Sequence, residues 1–317
     1  MISNNMNYRY NVEYYDGLEL QGEGFSVQGD MTGRTQEIVK FSFPANNSLL
    51  EKLENIDGIK MFSLYTAYPG LMIGTGAMHD IGMKEALKNG FTFDYVTGLP
   101  YLPGSSLKGM LRSYFPEGKD ATEKMKYIQS YLPNIDIGAF MDWAFGNDKP
   151  GNINFIGAFP VISGSANNLL SLEYITPHPN KFKNPIPISM LKIKPGIKFQ
   201  FVFLCRDYKG GNGEISSDEI MNLFKHIVLD MGIGAKTNVG FGVMVERAPT
   251  QNIMFECSEN GNSSHNNTNY RTNRNNRGTY PMDGVINCKV CKKNYQTMFK
   301  GQPVTSCPYC EKKKAKK

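Results

Sequence analysis

The chain is poor in the residues from which most catalytic centres are built. It has four histidines and one tryptophan in 317 residues. His79, His178, His226 and His265 lie far apart and form no cluster in the sequence. No stretch reaches the roughly 18 apolar residues in a row that a membrane helix requires. The opening MISNNMNYRYNVEYYDG lacks a charged start followed by an apolar run, so no secretory signal is expected and the protein is read as cytoplasmic. A P-loop is missing too. The glycine-rich run GIGAKTNVGFG, residues 232–242, has Ala235 before its lysine, and it joins a helix to a strand, the reverse of the order a triphosphate site needs.

What is present suits a globular body. Hydrophobic residues make up 40% and aromatics 12%, ample for one large domain or two. The net charge of +6 is unevenly spread: residues 271–317 hold 12 Lys and Arg against Asp283 and Glu311, which leaves residues 1–270 at −4. General attraction to nucleic acid therefore belongs to the tail, and the body must bind anions through individually placed cations. A solvated, solubilising end is the other reading of the tail.

Residues 257–284 are rich in Asn, Ser and Gly and nearly free of aliphatic side chains, the composition of a disordered linker. Beyond it Cys288, Cys291, Cys307 and Cys310 form two C-x2-C knuckles with 15 residues between them, the spacing of four thiolates around one structural zinc. Tyr295, Thr297 and Phe299 alternate ahead of a Gly301-Gln-Pro303 turn, which predicts a small hairpin. Such a segment is too short for a core of its own, so metal supplies its folding energy. Two disulfides conflict with a cytoplasmic chain. Cys205 reads as a small buried hydrophobe and Cys257 as a linker thiol.

In the body, strands are expected at 60–68 (KMFSLYTAY), 153–162 (INFIGAFPVI), 196–205 (GIKFQFVFLC) and in FGVMVE. Helices are expected in SSLKGMLRSYF, capped by Ser105 or Ser106, and over 218–231, where Ile220, Leu223, Phe224, Ile227 and Met231 recur at helical spacing. The order is β-α-β-β-α-β, an α+β, ferredoxin-like arrangement.

Two elements invite an anion. In GLPYLPGSSLKGMLRSYF, Pro100 and Pro103 hold the approach extended and Gly104 allows a close turn. Ser105, Ser106 and the helix start offer hydroxyls and free N–H groups, with Lys108 and Arg112 one turn apart on a face. An ordinary capped helix with two solvated cations fits the same pattern. In the glycine-rich run, Gly232, Gly234, Lys236, Thr237, Asn238 and Gly240 present bare backbone and one cation, suited to a sugar-phosphate chain that passes closely or to a structural tight turn. A side chain at Gly234 is expected to obstruct that path.

Together these runs resemble the signature of the RAMP superfamily, the RRM-like subunits of CRISPR effector complexes. YPGLMIGTG (68–76), FGNDKPGNINFIGAFP (145–160) and TPHPNKFKNPIPI (176–188) narrow the resemblance to the sixth subunits of Cmr-type, type III-B effectors, over about residues 60–247. The resemblance implies a RAMP domain at 60–256. Two parts depart from it: residues 1–59, read as an N-terminal extension that packs on the body, and the zinc ribbon with basic tail at 285–317 beyond the linker, which the family does not generally carry. The resemblance also implies a non-cutting subunit of an antiviral ribonucleoprotein. Such a subunit caps the filament near the 3′ end of the guide RNA, contacts guide and target RNA, and adjoins backbone RAMP and small helical subunits. By motif position, Ser105, Ser106, Lys108, Arg112 and the 232–242 loop lie along the guide.

Backbone RAMP subunits cut target RNA with an aspartate in a loop after the first strand, so a metal-independent endoribonuclease is the alternative. The matching region here is GTGAMHDIGM, with His79 beside Asp80. Chain neighbours point different ways and neither has an identifiable partner for proton transfer.

Overall fold

The computed structural model describes residues 4–21, 24–27, 31–45, 47–74, 83, 85–88, 90–118, 120–162, 167–175, 187–210 and 213–249, and the backbone of four short strands beyond them. His79, Asp80, His178, His265, Cys257, the 257–284 stretch and the four tail cysteines lie outside the described residues. The chain divides into two contact units, Met1–Ala248 and Pro249–Lys317.

The first unit opens with α1 (Met6–Asn11), a 3₁₀ turn at Glu13–Tyr15, the hairpin β1 (Leu18–Gln21) and β2 (Gly24–Val27), α2 (Met31–Val39) and α3 (Ser48–Glu54). Then come β3 (Ile59–Thr66), β4 (Leu102–Pro103), α4 (Gly104–Ser113), α5 (Ala121–Tyr131), α6 (Ile137–Phe145) and β5 (Asn154–Pro160). β6 (Leu170–Ile175) and β7 (Ile188–Ile193) form a hairpin, followed by β8 (Lys198–Leu204), the short pair β9 (Tyr208–Gly210) and β10 (Gly213–Ile215), α7 (Ser217–Met231) and β11 (Met244–Val245).

The fold is α+β. Its main sheet is antiparallel throughout, in the order β11-β3-β8-β5-β4. α4 lies between β3 and β5 in the chain, and α7 between β8 and β11. One sheet face carries an aromatic layer because Phe199, Phe201 and Phe203 alternate along β8, all with no exposed surface. Phe62 of β3 stacks on Phe201 at 4.9 Å, while Phe203 and Phe155 meet Phe224 of α7 at 5.7 and 5.9 Å. Each such ring contributes about 1.5–3 kcal/mol by leaving water. α7 is fixed at its start by a reciprocal box in which Glu219 N–H donates to Ser216 Oγ and Ser216 N–H donates to Glu219 Oε2.

The first 59 residues share this core. Met6, Tyr10 and Tyr14 are buried, Tyr10 lies 5.3 Å from Phe93, and the Leu87 N–H donates to Tyr14 Oη. Asn47 exchanges two hydrogen bonds with the backbone of Ile162, at 2.7 and 2.9 Å. Cys205 is buried, and burial pushes its thiol up to about 12, in keeping with a packing role. No helix among the described residues is long and apolar enough to cross a membrane.

In the second unit, β12 (Val285–Asn287) pairs antiparallel with β13 (Asn294–Gln296), and β14 (Met298–Phe299) pairs with β15 (Gln302–Pro303).

Candidate nucleic-acid interface

α4 springs straight from the edge strand β4. Pro103 pairs with Gly157, beside a bulge between Phe155 and Gly157, and the chain turns into the helix at the next residue. Only glycine fits there: a methyl group at 104 would lie 1.7 Å from the Phe155 carbonyl oxygen. The cap expected from Ser105 or Ser106 is therefore not made. The N-cap is Pro103, with no side-chain cap, because strand pairing fixes the cap position two residues ahead of Ser105. Both serines sit in the first turn with exposed side chains, and Leu107, Leu111 and Phe115 are fully buried beneath them.

The two cations of α4 differ. Arg112 Nη1 donates to the Gly146 carbonyl at 3.1 Å and Nη2 pairs with Glu117 at 3.0 Å, so its guanidinium pins α4 to the end of α6. Lys108 is half-buried and has no ion pair or hydrogen bond among the described residues. Nothing in the sequence pattern marked Gly146 or Glu117 as partners of Arg112.

The glycine-rich loop runs between α7 and β11 at the opposite edge of the sheet. Gly232, Gly234 and Gly240 have φ of +73°, +91° and +98°, and Lys236 itself is left-handed at +61°. Ile233 N–H donates to Gly242 O, Ala235 N–H to Met72 O at 2.8 Å, and Gly242 N–H to Gly70 O. These bonds seat the loop on the 70–72 segment, while Lys236, Thr237, Asn238 and Val239 face solvent. A side chain at 234 would point at Met72 O, 2.5 Å away, and not outward. The obstruction expected from the sequence thus becomes a displacement of the loop.

Four strand spacings, about 19 Å, separate the edge that launches α4 from the edge reached through the loop. The structure therefore does not gather the two motifs around a single phosphate. The two motifs are separate elements at opposite edges of the sheet.

The family model of the RAMP superfamily matches residues 63–245, more than half of the sequence. This chain belongs to the RAMP superfamily. Among RAMP relatives, it is 29% identical over 232 residues to the CRISPR system CMR subunit Cmr6 of Saccharolobus solfataricus, covering 71% of this chain and 68% of that protein. To the Cmr6 subunit of Pyrococcus furiosus it is 24% identical over 205 residues, covering 47% of this chain and 58% of that one. This RAMP chain thus spans between half and two thirds of the second relative's length. It also aligns with a chain in the cryo-EM structure of the type III-B Cmr-beta bound to cognate target RNA, with 22% identity, a TM-score of 0.46, and coverage of 76% of this chain and 84% of that one.

Proposed function

We propose that this RAMP protein is a non-catalytic, guide-RNA-binding subunit of a type III-B CRISPR (Cmr) ribonucleoprotein acting in antiviral defence. Its core is then a ferredoxin-like, RRM-like RAMP domain, a reading supported by the sheet order and by the places of α4 and α7 between the strands. The observation that carries RNA binding is the pair of stations on opposite sheet edges. One is the exposed Ser105 and Ser106 with Lys108; the other is the Lys236–Gly240 backbone. A phosphate chain satisfies both because it repeats its charge along its length. Likeness to the two Cmr6 relatives supports membership of a Cmr assembly, at the end of the backbone filament near the guide 3′ end, beside backbone RAMP and small helical subunits. Cys288, Cys291, Cys307 and Cys310 hold one structural zinc in the tail, a reading supported by their spacing.

The non-cutting reading rests on the sequence, where neither His79 nor Asp80 has an identifiable partner for proton transfer. His226, in α7, lies tilted against the Tyr131 ring with centroids 5.0 Å apart. The test is co-purification with the neighbouring gene products, sequencing of the RNA recovered, and incubation of the pure chain with guide precursor and target RNA in EDTA. Guide RNA in the pulldown, no cleavage by the chain alone, and intact target cleavage by complexes carrying His79→Ala or Asp80→Ala are the expected results. Cleavage in EDTA that disappears in Asp80→Ala would make the protein a metal-independent endoribonuclease instead.

A further inference from the structure

Residues 70–72 seat the glycine loop, and Tyr68, just before them, belongs to neither station yet adjoins that loop through Pro69. Tyr68 follows β3 in a turn that Gly70 N–H closes onto Ala67 O at 2.8 Å. That turn is held from the far side as well: Ala67 N–H donates to Val243 O and Gly242 N–H donates to Gly70 O, both at 2.9 Å. A methyl group at Gly240 would touch Pro69 Cδ at 3.9 Å. The backbone of Tyr68 is thus held against the loop while the residue itself remains 69% exposed; Val239 of the loop is 69% exposed, and Val243, whose carbonyl accepts from Ala67 N–H, is 40% exposed. Single exposed apolar residues need no explanation, but an exposed aromatic on a held turn, next to a loop that also exposes two valines, does.

Chemistry selects the occupant. From Gly232 to Met244 there is no carboxylate, and the one charge is Lys236. One ring and two valines fall far short of the roughly 1,000 Å² of a stable protein interface. A flat aromatic beside a cation and bare glycine backbone matches a nucleotide, whose base needs a π-face and whose phosphate needs a positive neighbour. We propose that Tyr68 is a stacking platform on which one unpaired RNA base lies while its backbone passes along Lys236–Gly240. The site accepts any base, because every base has a π-face. The proposal rests on the RNA-binding reading above and adds a contact that reading does not contain. Since the turn is already held, stacking orders little more than the ring.

The experiment uses the full chain and single-stranded RNA carrying 2-aminopurine at successive positions. Wild type, Tyr68→Phe and Tyr68→Trp should bind alike and quench the fluorophore at one position. Tyr68→Ala should bind about tenfold more weakly, lose that quenching and keep the same dependence on salt. Lys236→Ala should instead flatten the salt dependence. Equal affinity and quenching in Tyr68→Ala would overturn the platform and leave the RNA-binding reading standing. A loss in Tyr68→Phe as large as in Tyr68→Ala would assign the effect to the hydroxyl and overturn stacking. Normal RNA binding by Tyr68→Ala with failed assembly would make the ring a protein contact. No RNA binding by the wild type, alone or in the complex, would remove the reading beneath the proposal and the proposal with it.

Discussion

Alanine at Gly234 and alanine at Gly240 form a matched pair that tests how the loop is seated. The two glycines have similar positive φ, +91° and +98°, so a penalty of about 1–2 kcal/mol for a side chain at left-handed φ applies to both. They differ in what a methyl group meets. At 240 the nearest atom is Pro69 Cδ at 3.9 Å; at 234 it is Met72 O at 2.5 Å, with Leu71 Cδ1 at 2.8 Å. The contact at 234 can be relieved only by lifting the loop, which strains the 2.8 Å bond from Ala235 N–H to Met72 O. That adds about 1 kcal/mol for the bond and about 1–2 kcal/mol for overpacking. Gly240→Ala should therefore cost about 1–2 kcal/mol and Gly234→Ala about 3–5 kcal/mol. For a unit of this size the gap corresponds to roughly 5–10 °C in Tm. Thermal melts followed by circular dichroism read it directly, and RNA titration should show the larger loss for Gly234→Ala. Equal melting temperatures for the two variants would refute the claim that the 71–72 segment holds the loop.

The cations of α4 should separate in the same pair of assays. Arg112→Ala should lower stability by about 1–2 kcal/mol, because it releases the Gly146 carbonyl and Glu117, whereas Lys108→Ala should leave the melt unchanged and reduce the salt slope of RNA binding by about one. An unchanged slope in Lys108→Ala would return that lysine to a solvated helix face. In the tail, metal analysis should find about one zinc per chain, abolished by Cys291→Ser or Cys307→Ser with the melt of the body unaltered. Metal-free protein purified under reducing conditions would sink the zinc assignment.

The elements legible in the sequence are those whose periodicity is decided locally. β3, β5 and β8 alternate or run apolar, and α7 carries its buried residues at helical spacing. Ser216 and Glu219, at capping-box spacing, were a start signal the expectation of a helix from 218 did not use, and α7 begins one residue earlier at Ser217. α6 is missing from the expected helices although Ile137, Phe140, Met141, Ala144 and Phe145 recur at helical spacing behind the cap Asp136; Asp142 is the one charge on its outer face, so the run looks evenly apolar. FGVMVE shrinks to the two residues of β11, since the glycines before it are taken up in seating the loop. At the candidate site the motif residues were visible, but their roles were not. Arg112 looked like a twin of Lys108 until its partner arrived from 34 residues away. Pro103 displaced the serines as N-cap through pairing with a strand 50 residues later, which no local rule foresees.

The three residues Gly70–Met72 bond in two directions. Leu71 exchanges hydrogen bonds of 3.0 and 2.8 Å with Ile193 at the end of β7, while Gly70 and Met72 accept from Gly242 and Ala235 of the glycine loop. Apart from this shelf, the backbone of the loop has the Gly232 bond to Val228 at the end of α7, the Ile233 bond to Gly242 and two bonds within its own 3₁₀ turn. An opening that frees Leu71 from Ile193 removes the outer support of the shelf, so the amide protons of Leu71, Ile193, Ala235 and Gly242 are expected to exchange with solvent as one cooperative set; faster exchange at Leu71 and Ile193 than at Ala235 and Gly242 would show that loop and shelf leave β7 together as a bonded pair. On this reasoning a partner that clamps β6 and β7 stiffens the loop without touching it.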